Sequence, residues 1–143
     1  MRVVLDTHVF VSGLITPTSP PGRILDHWQA SPWELLLSEA TMAELSAVLG
    51  RPEVAKYFRR SPEWIGEFLA RTRERAVFVE PAVVRVILAD PPDDLILGTT
   101  VAGAADYLVS GNAHLLDLGR FRGIPIVTPR QFLDVLDSDL DTR

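Results

Sequence analysis

The 143-residue chain contains no cysteine. Disulfide frameworks, thiolate nucleophiles and cysteine zinc sites are therefore excluded. Carboxylates, hydroxyls and three histidines remain as chemistry-bearing groups. Clean apolar runs of membrane-spanning length are also missing. Residues 1–15 carry Asp6 and His8, with one positive charge in front and no small-residue cleavage site. Residues 95–111 are interrupted by Asp106 and by glycines. The first run reads as mature protein, and the whole as a soluble, cytoplasmic protein without membrane association. Positive charge is in deficit too: 14 Lys and Arg stand against 19 Asp and Glu, for a net charge of −5. That balance argues against a nucleic-acid binder working by bulk positive charge.

The distribution of charge says more. Between Arg51 and Arg75, seven basic residues face four glutamates, a local +3, so the remainder is −8. A basic arm beside an acidic body suits a protein that holds a polyanion on one surface and gathers carboxylates elsewhere. A solvated pair of helices with mixed surface charge accounts for the same composition equally well.

At 47% hydrophobic, the length fits one domain, 1–143, with a short charged tail at 137–143 expected to fray. Five short, continuously apolar runs, at 3–5, 34–37, 76–79, 107–109 and 124–127, read as strands buried on both faces. Helical spacing lies between them at 21–30, at 38–49 with Ser38 as N-cap, and at 61–75 opened by Ser61-Pro62. Asp93 can cap a helix over 94–104, and Pro129 can open one over 130–136. The Pro-rich stretch 17–21 reads as a loop. The order predicts an α/β fold, a three-layer α/β/α domain around a mostly parallel five-stranded sheet.

Open sheets of this kind bind ligands at the carboxyl ends of their strands. Asp6, Thr7 and His8 follow the first run, and Ser110, Gly111 and Asn112 follow the fourth. Asp90, Asp93 and Asp94 cluster before the helix that leads into the fourth, Glu44 lies one turn beyond Thr41, and Asp117 ends the segment after Asn112. Each acid alone has an ordinary role as a helix cap or a solvated side chain. Gathered together they would need a cation: two unit charges ~4 Å apart repel by about 4 kcal/mol at an effective dielectric near 20. An all-oxygen set suits Mg²⁺ or Mn²⁺.

Val3-Val4-Leu5-Asp6-Thr7, the helical Glu44, Asp90-Pro91-Pro92-Asp93-Asp94 and Asp106-Tyr107-Leu108-Val109-Ser110-Gly111-Asn112 together resemble the PIN-domain ribonucleases. More narrowly, the chain resembles the toxin component of prokaryotic toxin–antitoxin systems. The resemblance implies a metal-dependent endoribonuclease in which Asp6, Glu44, Asp94 and Asn112 line a Mg²⁺ or Mn²⁺ site. Asp93 competes with Asp94 for its place, and Asp117 is an outer contributor. It further implies an RNA substrate, a homodimer and an antitoxin protein as partner. His8 and Asn112 stand where relatives often carry Asn and Asp. Asn112 removes one negative charge and can coordinate only through its amide oxygen, which bears on a second metal. Thr7 and Ser110 would support the ligands or touch phosphate. Arg71, Arg73 and Arg75 would contact the RNA backbone. His27, beside Trp28 and Trp33, reads as packing and His114 as surface.

Two phosphotransfer folds also end the first strand in Asp. A haloacid-dehalogenase type wants a second Asp where His8 stands, and a receiver domain wants a Lys after the fifth strand, whereas the one lysine is Lys56. The alternative of a different class is a PIN-like domain with weak or no catalysis that acts through protein partners.

Overall fold

The computed structural model describes residues 1–31, 33–84 and 91–141. The elements run β1 (Arg2–Leu5), α1 (Thr7–Ile15), α2 (Pro20–Ala30), β2 (Glu34–Leu37), α3 (Glu39–Leu49), α4 (Pro52–Ala55), α5 (Pro62–Arg75), β3 (Val77–Phe78), α6 (Pro91–Ala102), β4 (Tyr107–Val109), α7 (Ala113–Leu116), β5 (Arg120–Phe121), β6 (Ile124–Val127) and α8 (Pro129–Asp141).

The six strands form one sheet in the order β3-β2-β1-β4-β6-β5. β1 pairs in parallel with β2 on one side and with β4 on the other, Leu5 lying opposite Val109. Chain order therefore reverses between β1 and β4, and the carboxyl ends of these two strands flank the switch point of the sheet. Strand alternation divides the core into two layers. Val3, Leu5, Leu35, Leu37 and Val109 face Phe10, Trp28, Leu45, Phe68 and Phe132 of α1, α2, α3, α5 and α8. Val4, Leu36, Leu108 and Ile126 face Ile96, Leu97 and Leu115 of α6 and α7. This is the expected three-layer α/β/α arrangement.

Local chemistry explains most boundaries. Ser19, Ser38 and Ser61 cap α2, α3 and α5 by accepting from the N–H groups of Gly22, Thr41 and Trp64 at 3.3, 3.1 and 3.1 Å. Thr41 closes a capping box by accepting the Ser38 N–H at 2.9 Å. Four details differ from the sequence reading. The sheet has six strands rather than five, because two-residue β5 pairs antiparallel to β6 through a tight hairpin. Its turn residues Arg122 and Gly123 both have positive φ, 49° and 82°, the primed-turn geometry that suits a hairpin. Next, α2 already begins at Pro20 within the stretch read as a loop, and α8 continues through Asp137 to Asp141. Finally, α6 opens at Pro91, not Asp94, since prolines are tolerated in a helix's first turn. That shift puts Asp93 inside the first turn instead of ahead of it.

Candidate active site

Because Leu5 and Val109 are register partners, the residues that follow them emerge side by side. Asp6 N–H donates to the Val109 carbonyl at 3.0 Å, and Ser110 N–H to the Val127 carbonyl at 3.0 Å. Asp6 occupies the N-cap position of α1 in an extended conformation, yet its side chain makes no capping bond. Instead, its Oδ2 accepts from the Ser110 hydroxyl at 2.8 Å. Ser110 is fully buried, and its Oγ in turn accepts the Asn112 N–H at 2.9 Å. Asn112 caps the short α7: its Oδ1 accepts the His114 N–H at 2.9 Å. The other end of the amide, Nδ2, donates to both carboxylate oxygens of Asp93 at 3.1 and 3.2 Å.

A continuous hydrogen-bonded chain thus runs Asp6, Ser110, Asn112, Asp93 across the switch point. It joins two carboxylates that are only 7% and 6% exposed. Each sits at a helix N-terminus, Asp6 on α1 and Asp93 in the first turn of α6, where negative charge is favoured by ~0.3–1 kcal/mol. Ser110 consumes one oxygen of Asp6, and among the described residues Asp6 is in no ion pair.

The remaining expected residues are placed less centrally. Asp94 is half-buried beside Asp93, Glu44 is exposed on α3, and Asp117 is exposed at the end of α7. Thr7 is buried at the start of α1, and His8 next to it is exposed. Asp90 lies outside the described residues. Among the described residues no three Asp, Glu or His side chains gather into a metal-holding group. Asn112 also takes a posture other than the expected one. Its amide oxygen is engaged by a backbone N–H and its amine end faces Asp93, so it stands as a donor that orients a carboxylate.

The oxygen-only donor set nevertheless fits one hard divalent cation. Mg²⁺ is commonly held by one or two carboxylates and keeps several of its waters. Asp6 and Asp93 would hold such an ion. The absence of Cys leaves no thiolate for a softer metal to prefer.

The arginines expected on RNA are occupied within the fold. Arg73 forks onto Glu39 through Nη1 and Nη2 at 3.1 to 3.2 Å and lies over the Phe78 ring. Arg75 donates to the carbonyls of Trp28, Gln29 and Ser31 at 2.9, 3.3 and 3.2 Å and stacks on Trp28, closing the end of α2. Arg71 sits 4.0 Å from Glu67, one helical turn away. His27 does pack: its Nδ1 accepts the Trp33 indole N–H at 2.9 Å.

The link from Asn112 to Asp93 was the part of the site that residue spacing missed. One signal was available, since an Asn three residues after a strand and immediately before Ala113-His114 is a natural N-cap whose amine end must point elsewhere.

Comparison with known proteins adds two findings. The profile described as PIN domain matches residues 2–114, a span that contains Asp6, Glu44, Asp93, Asp94, Ser110 and Asn112. An uncharacterized protein of Methanocaldococcus jannaschii is 23% identical over 146 residues, covering 96% of this chain and 93% of its own length.

Proposed function

The chain belongs to the PIN-domain family, nucleases that generally use divalent metal ions, and from that premise we propose that it is a Mg²⁺- or Mn²⁺-dependent endoribonuclease. Its narrower role in this reading is the toxin of a toxin–antitoxin pair, acting as a homodimer restrained by an antitoxin protein. The observation that carries the enzymatic reading is the hydrogen-bonded chain from Asp6 to Asp93 at the switch point of the sheet.

Each residue has a task that follows from its contacts. The Ser110 hydroxyl fixes one oxygen of Asp6 and leaves Oδ1 for an ion. Asn112 holds Asp93 through both carboxylate oxygens and so sets the orientation of the second ligand. Such supporting bonds matter because a ligand held in place loses little freedom when the ion arrives. The ion supplies activation of water for in-line attack on the phosphodiester and offsets the charge that develops there. Asp93 takes the place that the family resemblance divides between Asp93 and Asp94, being the buried member that faces Asn112. Asp94, Glu44 and Asp117 serve as outer acids.

Thermal melting with and without Mn²⁺ tests the site, because an ion bound only by the folded state raises Tm by mass action. Millimolar Mn²⁺ should raise Tm for the natural chain and have no such effect on Asp6→Asn. Cleavage of a labelled single-stranded RNA should require the same ion.

A second reading, a PIN-like domain with weak catalysis that works through a protein partner, draws on the neutral Asn112 and on the missing third acid among the described residues. Asn112→Asp separates the two. It sets a third carboxylate against Asp93, so metal-free protein should melt lower and respond more strongly to Mn²⁺. An inactive natural chain whose Asn112→Asp variant cleaves RNA would favour the second reading.

A further inference from the structure

The basic excess noted between Arg51 and Arg75 is not spread along that segment. Residues 61–75 carry Arg71, Arg73 and Arg75 against Glu63, Glu67 and Glu74, a net of zero. The whole +3 lies in residues 51–60, where Arg51, Lys56, Arg59 and Arg60 face only Glu53. All four cations are exposed, and among the described residues none is in an ion pair. Between them stands Tyr57, 58% exposed, with the Lys56 ammonium 5.0 Å from its ring centre. Arg60 lies 4.4 Å over the Trp64 ring. Beside them opens a groove of about 350 Å³ lined by Leu49, Phe58, Arg60, Ile65 and Leu69.

Exposed cations without ion-pair partners, gathered on one corner, form a local positive patch that a polyanion can occupy. An exposed aromatic ring amid those cations adds a face on which a base can stack, a combination typical of single-strand binding. We propose that the α4–α5 corner, residues 51–60, is the surface that grips single-stranded RNA, with Arg51, Lys56 and Arg59 on phosphates and Tyr57 stacked on a base. The groove beside Arg60 offers apolar walls, Leu49, Phe58, Ile65 and Leu69, to a neighbouring unstacked base. This deepens the ribonuclease reading and rests on it for the identity of the ligand, while the surface itself is independent of Asp6 and Asp93.

The test is equilibrium binding of a labelled oligouridylate, by fluorescence anisotropy at several salt concentrations in EDTA, where no metal-dependent cleavage occurs. Replacing Arg51, Lys56 and Arg59 together by Gln should flatten the log–log salt dependence by about 2 units, roughly 0.7 for each lost phosphate contact on a single strand. Tyr57→Ala should weaken binding about tenfold, leave the salt slope unchanged and spare duplex RNA. An unaltered slope and affinity in the triple variant would overturn the proposal. So would unaltered RNA binding accompanied by changed self-association in sedimentation, which would assign the corner to a second copy of the chain. If the natural protein cleaves no RNA but the corner variants still lose binding as described, the ribonuclease reading fails and the surface stands.

Discussion

At the carboxyl edge of the sheet, charge is buried and tied: Asp6 and Asp93 are each held by a neutral donor at 2.8 and 3.1 Å. At residues 51–60, charge is exposed and untied, with four cations and an open tyrosine ring. The first arrangement suits a task that needs fixed geometry, because the supporting groups belong to strand ends and helix starts that the core holds rigid. The second suits a flexible polymer, for which reach and solvation matter more than position. Arg73 and Arg75 show a third case, charges written into the basic segment but absorbed by the fold. Formal charge in a sequence is therefore a poor measure of the charge a surface can offer, and pairing decides the difference.

The largest effect that could break this contrast is on chemistry. Asp93→Asn should reduce single-turnover RNA cleavage by about 10²–10³-fold, the size expected when an electrostatic element of the site is removed. Asp94→Asn should cost less than about tenfold. Equal losses in the two would remove the distinction drawn between a held and an outer acid. Neither change should alter the salt slope of binding at the 51–60 corner.

A smaller effect concerns the hydroxyl between the two halves of the site. Ser110→Ala leaves a buried carboxylate and a backbone N–H each short of a partner, so urea unfolding should show a loss of about 1–3 kcal/mol. Cleavage should slow through kcat, with KM little changed, since Asp6 would lose its orientation and residues 51–60 would not be touched. A change confined to KM would contradict a positioning role.

The smallest effects sharpen the difference between absorbed and available arginines. Arg75→Ala should cost about 1 kcal/mol by releasing the carbonyls at the end of α2. Arg73→Gln should cost about 0–1 kcal/mol, as an exposed ion pair does. Neither should flatten the salt dependence of RNA binding. A flattened slope in either would return these side chains to the phosphate contacts first expected of them.

Much of the fold was legible in the chain. Apolar runs such as Val3-Val4-Leu5 and Leu35-Leu36-Leu37 fill both core layers, and only doubly buried strands need that pattern. Ser38 and Ser61 marked their helices because capping is a local bond between near neighbours. β5 was hidden because two residues carry no period, and its turn depends on the left-handed backbone at Arg122 and Gly123. In the site, Asp6, Ser110 and Asn112 could be placed from strand ends alone. Which of Asp93 and Asp94 is buried against Asn112 could not, since it depends on where α6 begins, and the two prolines permit a start earlier than the acid that looks like a cap. The contacts of Arg73 and Arg75 could not be read from spacing, because their partners, Glu39 and the end of α2, are distant in sequence.

The bond between Ser110 and Asp6 spans 104 positions of chain. Closing so long a loop carries an entropic cost that only the completed β1–β4 pairing can offset. The order of synthesis then sets a clock. A nascent chain can pair β1 with β2 from its early segments, but the bond between Ser110 and Asp6 cannot form until β4 has been made and has docked beside β1.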